Sequence, residues 1–94
     1  MKTIHKHRLQ TGSEVQKLKL SAEGVVREVT YSQQERLLYV WVEVPAGSLL
    51  ESNQVERSFR VFMTGDGIPD HAVFAGTAID MMRPEAYHIF ELTE

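Results

Sequence analysis

Ninety-four residues, of which 43% are hydrophobic and 24% charged, are expected to form one globular domain with room for a single core. The chain has no cysteine, which excludes a disulfide framework, a thiolate nucleophile and cysteine-ligated zinc. A net charge of -3 argues against a general nucleic-acid binder, so nucleic acid is not an expected partner.

The opening MKTIHKHRLQ lacks the apolar stretch of a signal peptide, and no run reaches the length of a membrane span, so the expected setting is soluble and cytoplasmic. Charge is unevenly placed. Six basic residues stand against two acidic ones from Met1 to Arg27, whereas the rest of the chain holds four basic and eleven acidic. Ordinary solvated strand faces are the preferred reading of this, ahead of a basic edge for an acidic partner.

Thr3 to Leu9 reads as a strand, with Ile4 on one side and His5, His7 and Leu9 on the other. Gln10 to Ser13 is a turn, and Val15 to Leu20 a second strand with Leu18 and Leu20 inward and Lys17 and Lys19 outward. The two predict an opening hairpin. Ser21 to Gly24 breaks the pattern, and Val25 to Tyr31 resumes it with Val25, Val29 and Tyr31 on one face.

After a turn at Ser32 to Glu35 comes LLYVWVEV, Leu37 to Val44, the most hydrophobic run and the expected central strand. Leu38, Val40, Val42 and Val44 make its core face. Tyr39 and Trp41 lie on the other face with Leu37 and Glu43, where they are either packed under a loop or second sheet or displayed as an interface anchor. Pro45 ends the strand. Ala46 to Val55 follows as a small and polar loop interrupted by Leu49 and Leu50, which either tuck into the core or meet another subunit.

Ser58 to His71, SFRVFMTGDGIPDH, carries a local chemical plan. Phe59, Val61 and Met63 point one way, and Ser58, Arg60, Phe62 and Thr64 the other. Arg60 either packs its stem on Phe62 at the rim or anchors an anion. Thr64, Gly65, Asp66 and Gly67 reverse the chain, because glycine reaches positive φ freely and aspartate bonds nearby backbone. Pro69 then stiffens the segment before Asp70 and His71.

Val73 to Ile79 and Tyr87 to Leu92 are the closing strands, joined across Asp80 to Glu85. With no long 3.6-residue period, the chain is expected to be all-β: a single small antiparallel sandwich or barrel of about seven strands.

The chemistry is sparse. His5 and His7 share a strand face, a geometry that metal sites use, but a site would need His71, His88 or a carboxylate to converge on them. His88 alternates in phase with Phe90 and Leu92 and is the best-placed titratable group. Asp66, Asp70 and His71 near Thr64 make a weak acid–base grouping with no nucleophile and no Walker-type glycine pattern, so neither catalysis nor a cofactor is expected.

Phe59-Arg60-Val61-Phe62, Thr64-Gly65, Ile68-Pro69, Gly76-Thr77 and the ending His88-Ile89-Phe90-Glu91, with Trp41 in the central strand, resemble a family of short uncharacterised proteins encoded by bacteriophages and prophages. The chain departs from that pattern at His5 and His7, where aromatic residues are commoner, in the longer Ala46 to Val55 loop, and at Asp66-Gly67. The resemblance implies a compact β fold and a phage or prophage setting in a bacterial host, without a mechanism.

Two functions are therefore expected in order. The first is non-catalytic binding of a host or phage protein through strand edges or the Tyr39 and Trp41 face. The second is binding of a small anion or nucleotide by Arg60 and the amides of Gly65 to Gly67, with Thr64, Asp66, Asp70 and His88 around them. Exposed edges, the aromatic pair and Leu49-Leu50 also predict a homodimer.

Overall fold

The computed structural model describes residues 1–47 and 54–93. Seven strands lie among them: β1 (Lys2–Leu9), β2 (Gln16–Ser21), β3 (Val25–Ser32), β4 (Leu37–Pro45), β5 (Gln54–Met63), β6 (Val73–Asp80) and β7 (Glu85–Leu92). They form a three-stranded sheet in the order β1-β4-β3 and a four-stranded sheet in the order β2-β5-β7-β6, with every pair antiparallel. Leu49 and Leu50 fall outside the described residues. Among the described residues no helix is long and apolar enough to cross a membrane.

The two sheets pack as a sandwich because each presents one apolar face. Leu9, Val29, Leu38, Val40, Val42 and Val44 come from the first sheet, and Leu20, Phe59, Val61, Ala78, Tyr87 and Ile89 from the second; all are buried in one cluster. Burial of a side chain of this size stabilises by about 1.5–3 kcal/mol. β4, alternating strictly between buried and half-buried positions, is the central strand of its sheet, as its sequence predicts.

The expected opening hairpin does not form. β1 pairs with β4 and β2 with β5, so the two strands lie in different sheets. Their connection is closed by a reciprocal clasp, with the Gln10 amide donating to Gln16 Oε1 at 2.7 Å and Gln16 Nε2 donating to the Gln10 carbonyl at 2.9 Å. Crossing between sheets lets Leu9 and Leu20 both reach the shared core.

β3 also departs from simple alternation. The register shifts between Val26 and Glu28, a bulge that turns Val26 inward beside Val29 and Tyr31 and leaves Val25 exposed. β5 begins at Gln54, so Val55 belongs to a strand rather than to the preceding loop.

β5 and β6 are both antiparallel to β7, which lies between them, and so run parallel to each other. Met63 stands opposite Tyr87 and Val73 opposite Glu91, so residues 64–72 must carry the chain from one end of the sheet back to the other. They start on the outer side, where the Thr64 hydroxyl meets His88 Nε2 at 2.9 Å, and near their end the His71 carbonyl accepts the Thr93 hydroxyl at 2.9 Å. The proline-containing stretch is thus a crossover strap as well as a turn.

At the β3–β6 side, Gly76 beside a second bulge lets Val29 approach its backbone. At one end, Arg57 forms a fork on Glu91, Nε and Nη2 each 2.7 Å from a carboxylate oxygen, while its Nη1 donates to the carbonyls of Ser21 and Gly24 at 3.0 and 2.8 Å.

Candidate functional site

The registers of the four-stranded sheet put Arg60 and Phe62 of β5, His88 and Phe90 of β7, and Phe74, Thr77 and Ile79 of β6 on one outward face. Phe62 is completely buried there although it belongs to no part of the inner core. The Arg60 guanidinium lies 4.6 Å over its ring, and Phe90 meets it edge-on at 5.6 Å. Arg60 Nε also donates to the Ser13 carbonyl at 2.8 Å, fastening the β1–β2 connection to this face.

Phe74 continues the aromatic row, 5.4 Å from Phe90, but is itself 59% exposed, and Ile79 is 56% exposed. Met81 and Met82, in the turn after β6, stand almost free in solvent. Thr64 and Thr77 hold His88 from both sides, each hydroxyl 2.9 Å from a ring nitrogen. The nitrogen that carries the proton donates to its threonine and the other accepts, so the ring is fixed in orientation.

Of the residues singled out in the sequence, Thr64 and His88 thus meet directly, and Arg60 shares their face, stacked on Phe62. Gly65, Asp66 and Gly67 form the turn at the start of the strap, with only Gly65 at positive φ, 97°. The Asp66 amide donates to the Met63 carbonyl at 3.0 Å, and the Asp66 carboxylate accepts the Met63 amide at 2.8 Å. A carboxylate closing the turn favours a structural use over an anion receptor. Asp70 is exposed near the far end of the strap.

Tyr39 and Trp41 lie on the outer face of the other sheet, on the opposite side of the sandwich. Their rings are 6.5 Å apart, and Lys6 Nζ stands 4.5 Å from the Tyr39 ring and 5.4 Å from the Trp41 ring. Trp41 Nε1 donates to Thr30 Oγ1 at 3.2 Å, and the Tyr39 hydroxyl to Glu35. That carboxylate, with lesser burial, raises the Tyr39 pKa. Both rings are half-buried and locally engaged.

His5 and His7 do share a face, the inner face of β1 opposite Val42 and Val40, with their rings 6.5 Å apart. His7 Nε2 is buried without a partner, and burial, assisted by His5, lowers the pKa of the ring. His88, on the outer face of the other sheet, does not join them. Among the described residues no group of three or more potential metal ligands exists.

The sequence signal for Phe74 was hidden by the bulge between it and Gly76, which reverses the phase of β6 and turns the ring outward. Phe90 was visible in phase with His88, but its contact with Phe62 depends on β5 and β7 being neighbours, which alternation within a strand does not encode.

A family model described as Domain of unknown function (DUF7352) matches residues 1–94. No curated protein and no solved structure matches the chain.

Proposed function

The chain belongs to the family defined by Domain of unknown function (DUF7352), and we propose that it is a phage or prophage accessory protein of the bacterial cytoplasm that binds a host or phage protein without catalysis. The docking surface in this reading is the outer face of the four-stranded sheet. The observation that carries it is the exposure of large apolar side chains at both ends of one hydrogen-bonded sheet face, Phe74 against Phe90 at one end and Ile79, just before the exposed Met81 and Met82, at the other.

Large apolar side chains left outside a well-formed core add nothing to folding and reduce solubility, so several of them on one sheet face mark an interaction site. Aromatic residues, methionine and arginine are the types enriched where protein partners meet. Arg60 and His88 supply a polar margin whose geometry is already set by Ser13, Thr64 and Thr77. The phage setting is supported by the sequence resemblance alone.

The test is comparative capture from phage-infected bacterial lysate with the native chain, a Phe74→Ser/Ile79→Ser variant and a Tyr39→Ser/Trp41→Ser variant. A protein retained by the native chain and the second variant, but lost with the first at unchanged melting temperature, is the expected result. Retention by the Phe74→Ser/Ile79→Ser chain, or capture of nothing by the native chain, overturns the reading.

A further inference from the structure

At one end of the sandwich the β3–β4 turn and the β6–β7 turn enclose a cavity of about 430 Å³, walled by Tyr31, Gln33, Arg36, Asp80, Arg83 and Tyr87. Tyr31 and Tyr87 in this wall are stacked, with ring centroids 5.4 Å apart and an interplanar angle of 21°, and the exposed Arg36 and Arg83 bring two guanidiniums to it.

Asp80 is the one carboxylate in this wall, only 3% exposed, and its charge is spoken for. Oδ1 accepts Gln33 Nε2 at 2.9 Å and the backbone amides of Met82 and Arg83 at 3.0 and 3.3 Å. These donors, Gln33 foremost, and the Tyr31 hydroxyl hold its pKa below the usual carboxylate range in spite of burial. Asp80 therefore shapes the turn that presents Arg83 rather than pairing with an arginine. Glu85, just beyond the wall, accepts the Tyr87 hydroxyl at 3.1 Å.

Among the described residues neither Arg36 nor Arg83 forms an ion pair. Arg36 has a second peculiarity. It is the one non-glycine among the described residues with positive φ, at 56°, in a turn closed by its amide on the Ser32 carbonyl at 2.8 Å. Glycine or asparagine would occupy that conformation at less cost, and a strained backbone persists at positions where the side chain it aims is used.

We propose that this cavity binds a small organic oxyanion, a carboxylate or a phosphate monoester, whose charged group is gripped by Arg36 and Arg83 and whose flat body lies over the tyrosine stack. A guanidinium presents paired N–H donors that match two oxygens of a carboxylate or phosphate. A pocket lined by aromatic rings and a few convergent polar groups is the form that small-ligand sites take. This site is separate from the outer sheet face and independent of any protein partner there.

The experiment is titration of the uniformly labelled chain with inorganic phosphate, benzoate and phenyl phosphate, followed by amide chemical shifts. The expected result is saturable shifts at millimolar concentration centred on Tyr31, Gln33, Arg36 and Arg83, strongest for phenyl phosphate, with phosphate weaker for want of the ring and benzoate showing how far a carboxylate replaces the phosphate. Arg36→Gly, which relieves the backbone, should keep or raise the melting temperature while weakening binding at least tenfold, and Arg83→Gln should weaken it similarly. Absence of saturable shifts with all three anions, shifts centred elsewhere, or undiminished binding by both variants overturns the proposal.

Discussion

A Cβ built on Gly76 would stand 2.6 Å from Cγ2 and 3.1 Å from Cβ of Val29, so the two sheets meet along this side at a distance that only a hydrogen on Gly76 permits. The atoms in the way belong to a β-branched side chain close to its own backbone, and they have little freedom to move aside. Gly76→Ala should therefore destabilise the fold by about 1–3 kcal/mol in urea unfolding. Adding Val29→Ala should recover part of that loss, and strictly additive effects in the double-mutant cycle would show that the contact is not the cause.

The two glycines of the strap should separate. Gly65 has φ of 97° and nothing within 4 Å of an added Cβ, so the penalty for a side chain there comes from the backbone alone. Gly65→Val is expected to cost about 1 kcal/mol or more. Gly67, with no positive φ and equally open surroundings, should accept valine with a much smaller change. Equal losses at both positions in thermal unfolding would count against this assignment of the turn.

Arg57 should be hard to replace. Its side chain is 16% exposed and that of Glu91 19%, and the fork between them is supplemented by two backbone carbonyls. Arg57→Met strands a largely buried carboxylate and two acceptors, at a cost of about 3–5 kcal/mol. Arg57→Lys should restore little, because an ammonium cannot span both carboxylate oxygens and both carbonyls. A lysine variant as stable as the native chain would refute the geometric argument.

Acidification should weaken the fold in two stages. His7 holds its proton less readily when folded, so below its ordinary value of 6.5 the unfolded chain protonates first and stability falls until the pH has passed the folded value. Glu43, bonded by Arg27 and then Lys2, and Asp80 have pKa values below the usual carboxylate range. Their contribution is present above about pH 4 and is lost as pH drops through the folded values. Melting temperature against pH should show both stages in the native chain, and only the lower one in His7→Phe; persistence of the upper stage in the variant would assign it elsewhere.

Period-two alternation made the strands legible almost residue by residue, since each has one face that must be buried. LLYVWVEV announced a central strand because it is apolar on its inner face and half-apolar on its outer one. What alternation does not carry is the partner. His5 and His7 against Val42 and Val40, or Arg57 against Glu91, join residues more than thirty positions apart, and nothing in either segment names the other. The bulges at Val26/Glu28 and Phe74/Gly76 each reverse the phase of a strand midway, so Val25 does not share the face of Val29 and Tyr31, and simple alternation along β6 does not place Phe74. Arg60, Thr64 and His88 were legible as candidates, whereas the cavity of Tyr31, Arg36 and Arg83 is assembled from turns that look ordinary one at a time.

The placing of β7 between β5 and β6 has a consequence for the timing of assembly. Both flanking strands precede in the chain the strand that joins them, so until Glu85 to Leu92 docks each has an unpaired ladder of amides and carbonyls on the side that β7 fills. β2 can pair with β5 early, but β6 has no partner in its own sheet at that stage. The nascent chain must therefore wait for its closing strand, and during that interval the open edges of β5 and β6 are where a neighbouring nascent chain would add, as unpaired edges in incompletely folded chains commonly do. Refolding should therefore lose more chain to aggregation as protein concentration rises, a cost that no property of the finished sandwich would reveal.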